Sequence, residues 1–249
     1  MKQDLLLDTM RETCTMTSTP LVRYHSIYYL IKRLLDFTLA LLASVVLLPF
    51  MALIALLIIL DSPGPAIFIQ ERIGARLVKR DGFIYWETNY FRCYKFRTMV
   101  NDADPSLHRA YIEAYICKDE GSMAKMQGEL TNTRKLVHDS RVTRIGKILR
   151  KTSLDELPQV WNIVLGDMSL VGPRPAIPYE VSLYKPWHFK RLLGKPGLTG
   201  LWQVTARSSV DFDDMVRLDI EYLEKQSLWR DLIILIKTPI VVLSCKGAH

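Results

Sequence analysis

Apolar positions are spread unevenly along the chain, and the first pattern to emerge is one long uncharged run. Phe37 to Leu60, FTLALLASVVLLPFMALIALLIIL, holds 24 residues without a charge. About 20 apolar residues suffice for a helix to cross a bilayer core, so membrane insertion is expected. Spanning is a separate question. Arg23, Lys32 and Arg33 precede the run, and Arg72, Arg76, Lys79 and Arg80 follow it. Basic flanks at both ends oppose placing either end outside. Pro49, near the middle, removes a backbone hydrogen bond and bends a helix. Hydropathy thus leaves two readings open: a kinked transmembrane helix, or a bent helix that enters and leaves by the cytoplasmic face.

Beyond the turn-rich DSPGPAIF the periodicity changes. AIFIQERIG and FIYWETNYFRCYKFRTM are rich in β-branched and aromatic residues and predict short antiparallel strands about KRDGF. NDADPSLHRAYIEAYICKDEG predicts a helix capped by Asp104, with Pro105 in its first turn and Gly121 at its end. The polar stretch 122–138 reads as a loop. DSRVTRIGKILRK is helical, with Val142, Ile145, Ile148 and Leu149 as its apolar stripe among Arg141, Arg144, Lys147 and Lys151. LVGPRPAIP and FKRLLGKPGLTGLWQVTARS are turn-rich. DFDDMVRLDIEYLEKQS is an amphipathic helix, and LWRDLIILIKTPIVVLSCKG suits the membrane interface. No tandem repeat or linker interrupts this order, which predicts one membrane-associated α+β unit, mostly helical with a small antiparallel hairpin.

Composition narrows the partners. Lys and Arg exceed Asp and Glu to give a net charge of +7 and a pI near 9.2, which points to an anionic partner. Cys14, Cys93, Cys117 and Cys245 have no paired spacing, and the five histidines form no metal motif. The N-terminal MKQDLLLDTMRETCTMTSTP has acids where a secretory signal needs a basic start, so a flexible tail without an export signal is expected.

Chemistry concentrates in KTSLDELPQVWN, which sets Asp155 and Glu156 side by side after a basic helix. Ser153 and Glu156 have the spacing of a capping box, which accounts for Glu156 and leaves Asp155 free. A carboxylate in a first helical turn is kept ionised by the exposed amides, as a nucleophile or metal ligand requires. Arg150 and Lys151 lie just upstream, while Lys95 and Arg97 in CYKFRTM and Arg174 in GPRP add cations suited to phosphate. No GxxxxGK[ST], GxGxxG or GxSxG motif is present. Asp211 and Asp213 in DFDD imitate a DxD metal motif, a weak match that a helix cap also explains.

The segments KRLLDFTLALLASVVLLPFMALIALLIILDSPGPAIFIQERIG, YKFRTM, DSRVTRIGKILRKTSLDELPQVWNIVLGDMSLVGPRP, KPGLTGLWQV and VRLDIEYLEKQSLWRDLIILIKTP resemble the bacterial sugar transferase family. These are monotopic phosphoglycosyl transferases that initiate capsule, O-antigen and exopolysaccharide assembly. The resemblance implies transfer of a phosphosugar from a UDP-sugar to undecaprenyl phosphate, with release of UMP, at the cytoplasmic face of the inner membrane. It makes Asp155 the nucleophile of a covalent phosphosugar intermediate and gives Mg²⁺ to Glu156, with Asp155 beside it. It assigns substrate binding to Lys95, Arg150, Arg174 and Asp219, with Pro173, Arg174 and Pro175 helping to hold the nucleotide; Arg97, beside Lys95 in CYKFRTM, is expected to bind substrate with them. It favours a re-entrant helix over 29–62, after a tail (1–28) and before a catalytic domain (63–249) on the phospholipid surface. Nucleic acid is not expected as a partner, and the oligomeric state is left open. Leu48 stands where members often carry serine before the kinking proline, with Ser44 one turn away.

Overall fold

The computed structural model describes residues 26–80, 83–127, 139–206 and 210–243. Residues 1–25 of the expected tail, 128–138 of the polar stretch, Cys14 and Cys245 lie outside them; residues 26–28 are helical rather than tail, and 122–127 are helical rather than loop. The apolar run forms part of one helix, α1 (Ser26–Asp61), which includes Pro49. Its inward stripe is Lys32, Asp36, Ala40, Ser44, Met51, Ile54 and Ile58, all buried. Steps of three and four residues keep such positions on one helical face. The other face is apolar and exposed: eighteen large hydrophobic side chains from Ile27 to Leu60 face outward. At roughly 1.5–3 kcal/mol per side chain, leaving these in water costs tens of kcal/mol. Membrane association of α1 follows. The Ser44 hydroxyl donates to the Ala40 carbonyl at 2.7 Å, so it does not serve the Val45 carbonyl that Pro49 leaves without its helical donor.

Both ends of α1 are tied to the same body. Near its start, Lys32 Nζ lies 2.8 Å from Asp231, which also accepts from Tyr28 and Tyr222 hydroxyls. Arg33 donates to the Ile163 and Val164 carbonyls at 2.6 and 2.8 Å. At its finish, Asp61 accepts from the Ile145 amide at 3.1 Å. Asp61 thereby caps the helix that leads to the acid pair.

The predicted hairpin is longer than the sequence implied. β1 (Ile67–Arg80) and β2 (Phe83–Phe96) pair antiparallel from Ile67↔Phe96 to Arg80↔Phe83. Helices α2 (Ser106–Cys117) and α3 (Glu120–Gln127) follow. Asp104 accepts from the Ser106 amide at 2.9 Å, as expected of a cap. Gly121 does not end this helix: Lys118 does, in the left-handed region at φ 59°, and Gly121 sits inside α3. Asp119 starts that second helix by accepting from the Ser122 amide at 3.0 Å, which moves the break upstream.

Next come α4 (Arg144–Thr152), a 3₁₀ turn (Leu154–Glu156), α5 (Gln159–Leu165) and β3 (Ser169–Val171). Then α6 (Pro178–Val181), a 3₁₀ segment (Pro186–Leu192), β4 (Gly197–Thr199), α7 (Leu201–Thr205), α8 (Phe212–Glu224) and α9 (Leu228–Leu243) complete the order. β3 and β4 form a short parallel ladder that neither strand's three residues could announce. Ala40, Phe91, Cys93, Ile163 and Met168 form the core shared by α1, β2 and α5. The fold is mostly helical with small sheets, as expected.

Candidate active site

The acid pair is presented by a sequence of local constraints. Thr143 caps α4 by accepting from the Gly146 amide at 3.0 Å, and Gly146 has no room for a Cβ against the Thr98 carbonyl. At the far end Ser153 turns the chain in the left-handed region, φ 58°, a conformation that costs a non-glycine residue free energy. The 3₁₀ turn then carries Asp155 and Glu156 off the helix axis. The expected capping box does not form: Ser153 makes no side-chain cap, because it terminates α4 instead. Glu156 reaches Lys95, whose Nζ donates to Oε1 at 2.6 Å, with Arg174 Nη1 at 3.7 Å.

Lys95 is placed by α5. Asn162, fully buried, accepts from the Tyr94 amide at 3.0 Å and donates to the Arg92 carbonyl at 2.6 Å. Its amide thus behaves as a further strand partner for β2 and fixes the strand against the acid pair. Arg150 is half-buried, donates Nε to Thr98 Oγ1 at 2.9 Å and faces Asp155 electrostatically.

Asp155 is half-buried, and among the described residues no hydrogen bond reaches its carboxylate. Burial lifts its pKa above the ordinary value, Lys95 opposes this, and the like charge of Glu156 reinforces it. Arg150 and Arg174 pull the other way. Such a carboxylate is poorly solvated and unshielded, which is how a nucleophile is kept reactive. No cluster of three or more His, Cys, Asp or Glu forms among the described residues. Two adjacent hard carboxylates, one raised in pKa first by burial and then by its neighbour's like charge, fit a Mg²⁺ that takes its other ligands from water and phosphate.

The Pro173–Pro175 loop closes the opposite wall. It is pinned from three directions: Pro173 carbonyl accepts from the Gly197 amide at 2.8 Å, Arg72 donates to the Pro175 carbonyl at 2.8 Å, and Ile73 donates to the Ala176 carbonyl at 2.9 Å. Gly172 and Gly197 approach so closely that a Cβ on either would meet backbone of the other. Arg191, buried behind the loop, donates to the Arg174 carbonyl at 3.2 Å and contacts Asp219 at 2.7 Å.

Lys95, Glu156, Arg174 and Pro175 therefore meet in one crevice. Asp155 and Arg150 do not line it; Asp155 is next to Glu156 in the chain and feels the charges of Lys95, Arg150 and Arg174. The crevice is nearly closed, at about 10 Å³, because these side chains bond to each other. Of the expected substrate-binding residues, Pro173 also does not line it, and two stand well apart from it. Arg97 is buried and spends its guanidinium on the Ser62, Pro63 and Gly64 carbonyls, where it clamps the turn after α1. Asp219 is fully buried behind the loop, joined to Arg191. Arg72, Gln159 and Gln203 line the crevice, though none was expected there. Arg72 was read as a membrane-flanking charge; the structure buries it at the crevice instead. Its signal was its place in the quoted ERIG segment. Asp213 of the DFDD motif is occupied by His188 at 3.1 Å and Lys118 at 3.1 Å, so it holds α8 in place.

An acid pair ringed by cations, beneath a lipid-seeking helix, suits chemistry on a phosphorylated ligand at a membrane surface. The chain belongs to the bacterial sugar transferase family, whose model matches residues 27–245. It is 40% identical over 225 residues to "UDP-galactose-lipid carrier transferase" of Erwinia amylovora, covering 90% of this chain and 43% of that one. It is 39% identical over 218 residues to "Exopolysaccharide production protein ExoY" of Sinorhizobium fredii, covering 88% of each. It is 37% identical over 227 residues to "UDP-glucose:undecaprenyl-phosphate glucose-1-phosphate transferase" of Caulobacter vibrioides, covering 88% of this chain and 72% of that one. Several relatives are longer: the chain spans 43% and 45% of two of them.

Proposed function

We propose that the protein transfers a sugar phosphate from a UDP-sugar to undecaprenyl phosphate, releasing UMP, as a first membrane step of surface-polysaccharide assembly. The observation that carries this reading is Asp155: a carboxylate that no hydrogen bond reaches among the described residues, beside Glu156 and within the electrostatic influence of Lys95, Arg150 and Arg174. The relatives' printed names supply the substrate classes. In the first half-reaction Asp155 attacks the sugar-bearing phosphorus. The new O–P bond forms as the bond to the bridging oxygen breaks, and UMP leaves with that oxygen. In the second, the lipid phosphate oxygen attacks the same phosphorus and frees the Asp155 carboxylate. Splitting the transfer lets a soluble donor and a lipid acceptor use the site in turn.

Two anions meet in each step, so charge must be neutralised. Lys95 and Arg174 are held against Glu156 at 2.6 and 3.7 Å and would be redirected to the diphosphate on binding. Arg150 flanks Asp155. Arg72 and Arg191 hold the Pro173–Pro175 loop by its carbonyls, keeping Arg174 in register. Glu156 and Asp155 would hold Mg²⁺, which supplies further neutralisation of the diphosphate when bound.

The monotopic reading is favoured because the ties near both ends of α1 bind one globular body. A helix crossing about 30 Å of hydrocarbon could not place both ends there. Cysteines at Ile27 and Lys79 are expected to label from the cytoplasmic side alone; opposite-side labelling would overturn re-entry. Product analysis tests the reaction. UMP formed from a UDP-sugar in a Mg²⁺-dependent way is expected, whereas UDP would indicate direct glycosyl transfer.

A further inference from the structure

Two neutral polar side chains, Gln159 and Gln203, line the crevice beside its charged ones, and the transfer chemistry gives neither a role. Gln159 is 2% exposed, and its carboxamide bonds to no group among the described residues. Further along the same helix, Asn162 shows what a structural carboxamide does. It accepts from the Tyr94 amide at 3.0 Å and donates to the Arg92 carbonyl at 2.6 Å. Gln203 spends only half of its carboxamide: Nε2 donates to the Leu198 carbonyl at 3.3 Å, while Oε1 is buried with no partner among the described residues. A carbonyl only accepts, so the end facing Leu198 is the nitrogen and the free end is an acceptor. Buried polar groups without partners cost free energy, and here two glutamines carry that cost in one crevice.

The free acceptor on Gln203 selects the chemistry of its partner. The crevice cations are engaged elsewhere: Arg72 gives Nη1 to the Pro175 carbonyl and Nη2 to Gln70, while Lys95 and Arg174 lie 2.6 and 3.7 Å from Glu156. A diphosphate diester has acceptor oxygens alone, so it draws on those cations and leaves Gln203 Oε1 unsatisfied. The missing partner is a donor, an N–H or O–H. Its place is the root of the Pro173–Pro175 loop. A Cβ on Gly200 would stand 3.1 Å from Gln203 Oε1 and 2.4 Å from the carbonyl of Gly172, the residue before Pro173. In the proposed reaction the sugar-bearing phosphorus faces Asp155, which puts the sugar at the acid-pair end and the nucleoside at the loop end, with Gln203.

We propose that Gln203 is a nucleotide-specificity residue whose Oε1 accepts a hydrogen bond from the nucleoside of the donor, with the free carboxamide of Gln159 as a second neutral contact. The inference rests on the UDP-sugar reading and adds to it the groups that read the nucleoside. Two parts of uridine supply the donor: the imide N3–H of the base and the ribose hydroxyls. Uracil presents N3–H, whereas cytosine presents a bare N3 in the same place and would set one acceptor against another. Gln203 cannot reverse its carboxamide to suit cytosine without losing Leu198. A site built to take a hydrogen bond rejects an analogue that lacks the donor, because the buried acceptor is then left unpaired.

The test uses the full chain in neutral detergent with Mg²⁺, titrated calorimetrically with UMP, CMP, 2′,3′-dideoxy-UMP and inorganic pyrophosphate. If N3–H is the donor, CMP binds about tenfold more weakly than UMP; if a hydroxyl is, dideoxy-UMP does. Either supports the proposal when Gln203→Met erases that difference. Gln203→Met should weaken UMP about tenfold and Gln159→Met by a smaller factor, while both bind pyrophosphate as the parent does. A parent indifferent among the three nucleotides would overturn the proposal, as would UMP affinity unchanged in both variants. Equal loss of pyrophosphate and UMP would make the glutamines merely structural and overturn it too. So would a Gln203→Met variant that loses affinity for a UDP-sugar but not for UMP, which would put the contact on the sugar. Failure of the underlying reaction reads differently: the parent itself would then release no UMP from a UDP-sugar.

Discussion

Replacing Arg191 by Met should produce a stability defect that grows with pH. Arg191 is 1% exposed and bonds Asp219 at 2.7 and 3.0 Å, Glu180 at 3.2 Å, Tyr184 at 2.8 Å and the Arg174 carbonyl at 3.2 Å. Burial lifts Asp219 to about 6, and Arg191 keeps it from rising further. Below that pH both parent and variant carry a neutral Asp219, so the defect is the lost hydrogen bonding, about 3 kcal/mol. Above it the parent releases a proton that the variant retains. The folded variant then binds one proton more, and stability falls by an additional ~1.4 kcal/mol per pH unit until its own Asp219 ionises. Thermal unfolding of the detergent-solubilised protein reads this directly, at roughly 2–4 °C per kcal/mol for a chain of this size. A melting temperature lower by about 6–12 °C at pH 6, with a wider gap at pH 8, is expected. A gap that stays constant from pH 5 to 8 would refute the placement of Asp219 on Arg191's guanidinium.

Two further outcomes follow from the site. In the proposed reaction Asp155 must be ionised to attack, and burial raises its pKa above the ordinary carboxylate value, so kcat/KM for UMP release should fall on the acid side at a higher pH than a free aspartate would give. Lys95→Met removes the largest opposing influence and should move this limb to higher pH in the residual activity; an unmoved limb would detach it from Asp155. Gly172→Ala would drive a Cβ into the Lys195 carbonyl and against the Gly197 amide, costing about 1–3 kcal/mol and displacing the Pro173–Pro175 loop. Lower stability with lost transfer activity is expected, and parent-like behaviour in both would contradict the close approach.

The long elements were legible because each rests on local pattern. Phe37 to Leu60 announces a lipid-facing helix, and alternating β-branched and aromatic residues announce β1 and β2. The acid pair and its cations were also legible, since Lys95, Glu156 and Arg174 do meet. What remained hidden depends on distant partners. The parallel β3–β4 ladder has three residues in each strand and owes its existence to glycine contacts across 25 positions. Arg72 looks like any flanking cation until the fold buries it against Pro175. Arg97 looks like a phosphate ligand until the turn at Ser62–Gly64 claims it. Ser153 fits a capping-box spacing, yet it lies where α4 must end, and backbone geometry there outweighs side-chain spacing.

Formation of a covalent phosphosugar on Asp155 tests the central claim most directly. The purified protein is incubated with a UDP-sugar and Mg²⁺ in the absence of lipid acceptor, then measured by intact mass and peptide mapping. One sugar-phosphate adduct per chain on the peptide bearing Asp155, with one equivalent of UMP, is expected, together with its loss in Asp155→Asn and its discharge by undecaprenyl phosphate. Full transfer by Asp155→Asn, or UMP release that requires the acceptor and passes through no adduct, would contradict it.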